Sequence, residues 1–138
     1  LMKVILVAAA AIMRSTPDGA RVLLAQRPAG KPLAGLWEFP GGKLEPGEPP
    51  EDCLIRELKE ELAIDVRVDK PITFASHPLG ETKHLLMPLW RVLDFDGEPV
   101  GAEGQKLAWA SADELDSFAM PPADGPLLDP VRLAMSDI

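Results

Sequence analysis

Apolar positions along the chain fall into runs separated by turn markers. The first run, Val4 to Met13, contains no charged residue. It is too short to cross a bilayer, which takes about 20 residues. Behind Lys3 it has the outline of a signal-peptide core; the competing expectation is a strand buried on both faces. The sequel favours the strand. Ser15-Thr16-Pro17-Asp18-Gly19 is a cluster of turn formers, and Arg21 to Gln26 then reads as a second strand, completing a hairpin. From Pro28 to Gly47, Gly and Pro break every pattern except the island Leu36-Trp37-Glu38-Phe39. A loop of this length inside a compact domain is either functional or disordered, and two aromatic residues favour function.

A helical period is clearest further on. Leu54, Leu58 and Leu62 recur every four positions and predict one buried stripe. Pro49 and Pro50 suit a first turn, where a missing N–H costs nothing. Glu51 and Asp52 place negative charge where the helix dipole favours it. Asp65 to Val68, Ile72 to His77, Leu85 to Leu93 and Gln105 to Ala110 read as strands, with a turn at Asp96-Gly97. Ser111-Ala112-Asp113-Glu114 is a capping box that should open a short helix. Another short helix is predicted within Leu127 to Met135, with Pro130 near its start. This mixed order predicts an α/β or α+β fold, a mixed sheet sandwiched between α-helices, as one domain over residues 1–138.

Composition removes several functional classes. Hydrophobic residues make up 46% of the chain, enough for a proper core, and the net charge is −8. Such a balance argues against a nucleic-acid polymer as partner, which calls for a basic footprint. A mononucleotide remains compatible, because Mg²⁺ can screen its phosphates locally. Cys53 is the only cysteine, so no disulfide can form within the chain, and no Cys/His spacing suits zinc. A reducing cytoplasm is the expected setting, with no membrane partner. Monomer and homodimer both remain open.

The predicted helix carries Glu57, Glu60 and Glu61 on one face. Clustered carboxylates suit a hard cation such as Mg²⁺ or Mn²⁺. They equally suit a solvated acidic face tied to Arg56 and Lys59. The flanks tilt the balance. Gly41-Gly42-Lys43 can bring backbone groups close to an ion or a phosphate. Arg56, four residues before Glu60, is expected to orient that carboxylate through a bidentate contact.

Spacing then becomes specific. Gly42 is followed after five residues by Glu48, and after seven more by Arg56-Glu57-Leu58, then Glu60-Glu61 and Ala63-Ile64. This is similar to the Nudix box, G-x5-E-x7-R-E-U-x-E-E-x-G-U, where U is a bulky aliphatic residue. Ala63 departs from the glycine of the pattern. A left-handed turn there would cost alanine about 1 kcal/mol. Outside the box, Leu36 to Lys43, Gly97-Glu98-Pro99, Gly101 to Gln105 and Pro121 to Pro126 resemble the MutT-like branch of the family.

That resemblance implies a Mg²⁺-dependent enzyme, with Mn²⁺ as a substitute, that hydrolyses a nucleoside triphosphate to monophosphate and pyrophosphate. Oxidised guanine nucleotides (8-oxo-dGTP) are the expected substrates. CTP or a modified pyrimidine triphosphate is the alternative, and a non-catalytic nucleotide-sensing module is a further one. It also implies roles for particular residues. Gly41, Glu57, Glu60, Glu61 and Glu103 would bind metal. The chemistry would fall to Glu57, Glu60, Arg56 and Glu103. Arg27, Phe39, Lys43 and Asp124 would contact substrate. Asp124 stands where the branch has asparagine, and an ionised aspartate only accepts hydrogen bonds.

Overall fold

The computed structural model describes residues 1–138. Strands β1 (Lys3–Thr16), β2 (Gly19–Gln26), β3 (Trp37–Glu38) and β4 (Gly41–Lys43) precede helix α1 (Pro50–Leu62). Strands β5 (Asp65–Arg67), β6 (Pro71–Leu79), β7 (Lys83–Val92), β8 (Asp94–Asp96) and β9 (Leu107–Ala110) follow. Two 3₁₀ turns (Leu115–Ser117 and Pro122–Leu127) then lead to α2 (Leu128–Met135).

The uncharged first run is a strand, and from Ala8 to Met13 its lack of alternation has a simple cause: both faces of β1 are covered there, whereas Val4 and Leu6 stay exposed. Ala9, Ala11 and Met13 face one core, closed by Val131 and Met135 of α2. Ala8, Ala10 and Ile12 face the other, closed by the predicted stripe Leu54, Leu58 and Leu62 of α1. The sheet is mixed: β1 runs parallel to β7, which forms an antiparallel hairpin with β6. Helices on both faces of a mixed sheet match the expected α+β architecture. No helix is long and apolar enough to cross a membrane.

The centre of the sheet splits. Val22 of β2 pairs with Met13 on one edge and with Ala110 of β9 on the other. Three residues on, Ala25 still pairs with β9 through Leu107, but its other partner is Glu38 of β3. β1 has therefore left β2 by that level, and β4 pairs with the freed edge of β1, Gly42 opposite Ala8. Trp37 to Lys43 fills the seam between the two diverging strands. Ala10 N–H donates to the Pro40 carbonyl at 2.8 Å and ties down its midpoint. The Gly/Pro-rich stretch expected to be loop thus contributes two short strands. A cavity of about 190 Å³ opens at the seam.

Two other expectations need correction. The capping box forms: Ser111 N–H donates to Glu114 Oε1 at 2.9 Å, and Glu114 N–H to Ser111 Oγ at 3.3 Å. It caps only a 3₁₀ turn rather than an α-helix, because the chain is pulled straight afterwards. Phe118 is extended, its ring packs edge-on against Trp37 at 5.1 Å, and Trp37 N–H donates to the Ala119 carbonyl at 2.8 Å. Asp94–Asp96, before the expected turn at Gly97, forms β8 and pairs with β5 in a separate two-stranded sheet.

Ala63 ends α1 in the left-handed region, φ 57° and ψ 37°, with its N–H on the Lys59 carbonyl at 3.1 Å. The Cβ strain foreseen from the sequence is therefore present. Ala63→Gly is expected to stabilise the fold by about 1 kcal/mol, read as a higher urea midpoint at unchanged slope. An unchanged or lower midpoint would mean the turn relaxes at no cost to alanine.

Candidate active site

Glu57 and Glu61 project from α1 one turn apart and meet. Burial, then the charge and hydrogen bond of Glu57, then the charges of Glu103 and Glu38, push the Glu61 carboxyl up to about 9. Glu103, exposed on the loop between β8 and β9, acts on this cluster through its charge. Glu60 does not take part: its side chain is 59% exposed on the flank of the helix. As placed, no three acidic, His or Cys side chains surround one point.

Arg56 is the organiser, though not of Glu60. Its Nε and Nη2 grip both oxygens of Glu48 at 2.9 Å, and Nη1 donates to Glu57 Oε1 at 2.9 Å. Nη2 also reaches the Lys43 carbonyl at 3.3 Å, while Glu60 stays 3.8 Å away. The bidentate contact expected for Glu60 therefore belongs to Glu48. The reason is the backward lean of helical side chains: a long residue points toward the helix N-terminus, here toward the loop that delivers Glu48. Glu48 also accepts the Glu45 N–H at 3.1 Å. Arg56 and that N–H hold its carboxyl down at about 2.

Glycine is required at both seam positions. A Cβ on Gly42 would lie 2.4 Å from the carboxyl carbon of Glu57, and one on Gly41 would lie 2.0 Å from the Ala8 carbonyl oxygen. Glu57 thus rests directly on the backbone of β4. Carboxylate oxygens beside the half-buried backbone carbonyls of β4 offer an all-oxygen donor set, the kind Mg²⁺ and Mn²⁺ take. A cation there would also offset the burial and the mutual repulsion that raise the Glu61 carboxyl. The residues present fit a divalent metal.

On the other face of the seam lies the cavity. Val7, Ala9, Phe39 and Met87 form its apolar wall, while Arg27, Glu38, Lys43 and Asp124 bring polar groups. Phe39 is both wall and core, only 4% exposed. Arg27 donates through Nε to the Pro32 carbonyl at 2.7 Å and through Nη1 to Glu38 at 2.9 Å. Lys43 is exposed and makes no ion pair. Asp124 is 5% exposed, and no group of the chain bonds its carboxyl. Burial first, then the charge of Glu38, lift it to about 7, with Arg27 opposing. Asp124 is thus poised between its two forms near neutral pH, and the neutral acid donates as well as accepts. The premise that it only accepts holds for the ionised form alone.

Glu38 is the member that sequence reasoning passed over. It pairs with Arg27 and acts electrostatically on both Asp124 and Glu61, so it bridges the cavity and the acidic helix. A charged residue inside the apolar island Leu36 to Phe39 was the available signal. Val7 and Met87 carried none. His84 bonds Ser76 on the β6–β7 hairpin, outside the site.

Comparison with known proteins agrees with this geometry. The model of the NUDIX domain matches residues 5–130. A CTP pyrophosphohydrolase of Escherichia coli (strain K12) is 45% identical over 129 residues, which are 93% of this chain and 91% of that protein. An 8-oxo-dGTP diphosphatase of the same strain is 35% identical over 107 residues, 78% of this chain and 82% of the other. The solution structure of the E. coli ORF135 protein superposes with a TM-score of 0.83 at 41% identity, covering 98% of this chain and 92% of that one. The box, the fold and these likenesses coincide, and the chain belongs to the Nudix hydrolase family, among its MutT-like members.

Proposed function

We propose that this hydrolase cleaves a nucleoside triphosphate to monophosphate and pyrophosphate with Mg²⁺, for which Mn²⁺ substitutes, and that a cytosine nucleotide is its preferred substrate. The observation that carries the reading of a base edge is the Asp124 carboxyl, buried, unbonded and facing the cavity. In its neutral form it donates to the cytosine ring nitrogen and accepts from the exocyclic amine, two bonds along one edge. The likeness to a CTP pyrophosphohydrolase supports the same assignment.

Gly41, Glu57, Glu60, Glu61 and Glu103 are the residues proposed to hold the metal. Glu60 would have to swing in from its exposed position. A bound divalent cation supplies charge neutralisation on the phosphates and a more acidic water. Glu57 takes the proton of the attacking water, held in place by Arg56 and by the Gly42 backbone. Lys43 meets the phosphates at the mouth of the cavity. Arg27 and Phe39 border the base. Glu38 fixes Arg27 there.

Oxidised guanine is the second reading. Its support is the likeness to 8-oxo-dGTP diphosphatases and the same neutral Asp124, which serves a carbonyl beside a ring N–H equally well. A panel of CTP, dCTP, 8-oxo-dGTP and dGTP at fixed Mg²⁺ separates the two by kcat/KM. Because neutral Asp124 serves either edge, the ranking of CTP or dCTP above 8-oxo-dGTP rests on the likeness to the CTP pyrophosphohydrolase, and a higher kcat/KM for CTP or dCTP is the expected result. A higher value for 8-oxo-dGTP would transfer the assignment to the second reading. No release of pyrophosphate from any of the four would overturn both.

A further inference from the structure

We propose that Gln105 is a positioning residue that sets Glu103 against the acidic face of α1. The inference rests on the functional reading of Glu61 and Glu103 given above. The Gln105 carboxamide makes two bonds in opposite directions. Its Nε2 donates to the Glu61 carbonyl at 2.9 Å, and its Oε1 accepts the Glu103 N–H at 2.9 Å. One side chain therefore joins the backbones of two residues assigned to the same metal.

The Glu61 carbonyl belongs to the last turn of α1, where backbone oxygens lack partners within the helix. It also accepts the Ala102 N–H at 3.0 Å, and the Leu62 carbonyl accepts the Val100 N–H at 3.1 Å. The backbone thus docks the start of the loop without help from Gln105. What the carboxamide adds is the placement of Glu103 itself. The loop closes tightly on Gln105: a Cβ on Gly101 would meet the Gln105 carbonyl oxygen at 2.0 Å, and Gly104 holds φ 82° to turn the chain back. A side-chain amide can donate to a carbonyl and accept an N–H at once, and glutamine has the length to do both here. Glutamate has no donor when ionised, and methionine has no donor and only a weak acceptor.

Gln105→Met, with Gln105→Ala as second variant, tests this. Both should fold, since Val100 and Ala102 still anchor the loop, and an unfolding midpoint checks it. Three changes are expected. The Glu103 amide should exchange with solvent about ten-fold faster or more. Removal of such supporting contacts typically costs 10–100-fold, so Mn²⁺ bound to the free protein, counted by its EPR signal, should weaken by about ten-fold. kcat should fall by a similar factor, with KM within about two-fold. Unchanged Glu103 protection, or Mn²⁺ affinity and kcat within about two-fold of the parent, would overturn the inference. Glu103→Gln keeps the two levels apart. If it cripples turnover while Gln105→Met does not, only the role of Gln105 falls. If Glu103→Gln is harmless, the role of Glu103 falls and that of Gln105 with it.

Discussion

Glu57→Gln is expected to lower kcat by about 10²–10⁴-fold, the usual loss when a positioned base is removed. The substitution is nearly isosteric, and its carbonyl oxygen can keep the Arg56 bond that Glu57 Oε1 makes at 2.9 Å. The variant also relieves the repulsion that Glu57 exerts on Glu61. Its thermal midpoint should therefore equal or exceed that of the parent. A dead enzyme that still melts cooperatively would place the loss in the chemistry. Turnover within about three-fold of the parent would remove Glu57 as the base. A midpoint that collapses along with activity would instead make Glu57 a structural partner of Arg56.

The second large effect is one of stability. Asp124→Asn should stabilise the protein at pH 8 and have little effect at pH 4. The Asp124 carboxyl titrates near 7 in the folded state and near 3.8 when exposed. Between these values the folded chain binds a proton that the unfolded chain has released. Stability from this group therefore falls as pH rises through that window, and the full cost of a buried charge remains above pH 7. At 1.36 kcal/mol per pH unit the difference is at most about 4 kcal/mol. Glu61, raised in the same direction, adds its own slope to both proteins, so the difference between variant and parent isolates Asp124. Urea unfolding at pH 4, 6 and 8 measures it. Identical pH slopes would mean that Asp124 is ionised in the fold throughout. The same pair of proteins bears on function: hydrolysis of CTP by the parent should weaken as Asp124 loses its proton, whereas the amide has none to lose.

Much of the frame could be read from patterning. The stripe of α1 and the uniform β1 have direct physical correlates in helix period and two-sided burial. The strain at Ala63 followed from one position of a motif. Elsewhere, local sequence held no message. β3 and β4 are two and three residues long and are strands only because β1 and β2 diverge around them. No periodicity exists over such a length. The burial of Asp124 was equally hidden, because Pro121 to Pro126 has the composition of an exposed turn and is drawn inward only by the core beneath it. The partner of Arg56 is a different kind of miss. Spacing alone pointed to Glu60, and the direction of helical side chains would have pointed to Glu48.

The split in the sheet has a consequence for the order of assembly. The β1–β2 hairpin, the wedge that fills its seam and α1 are neighbours along the chain, so they can form early at little cost in loop closure. The far wall of the cavity is a different matter. Met87 arrives on a strand whose parallel pairing joins Lys3 to Lys83, and Asp124 comes from near the C-terminus. Contacts so distant along the chain form late. A chain emerging from the ribosome would therefore possess its box before it possesses a place for the base, and selectivity would be the last property to mature.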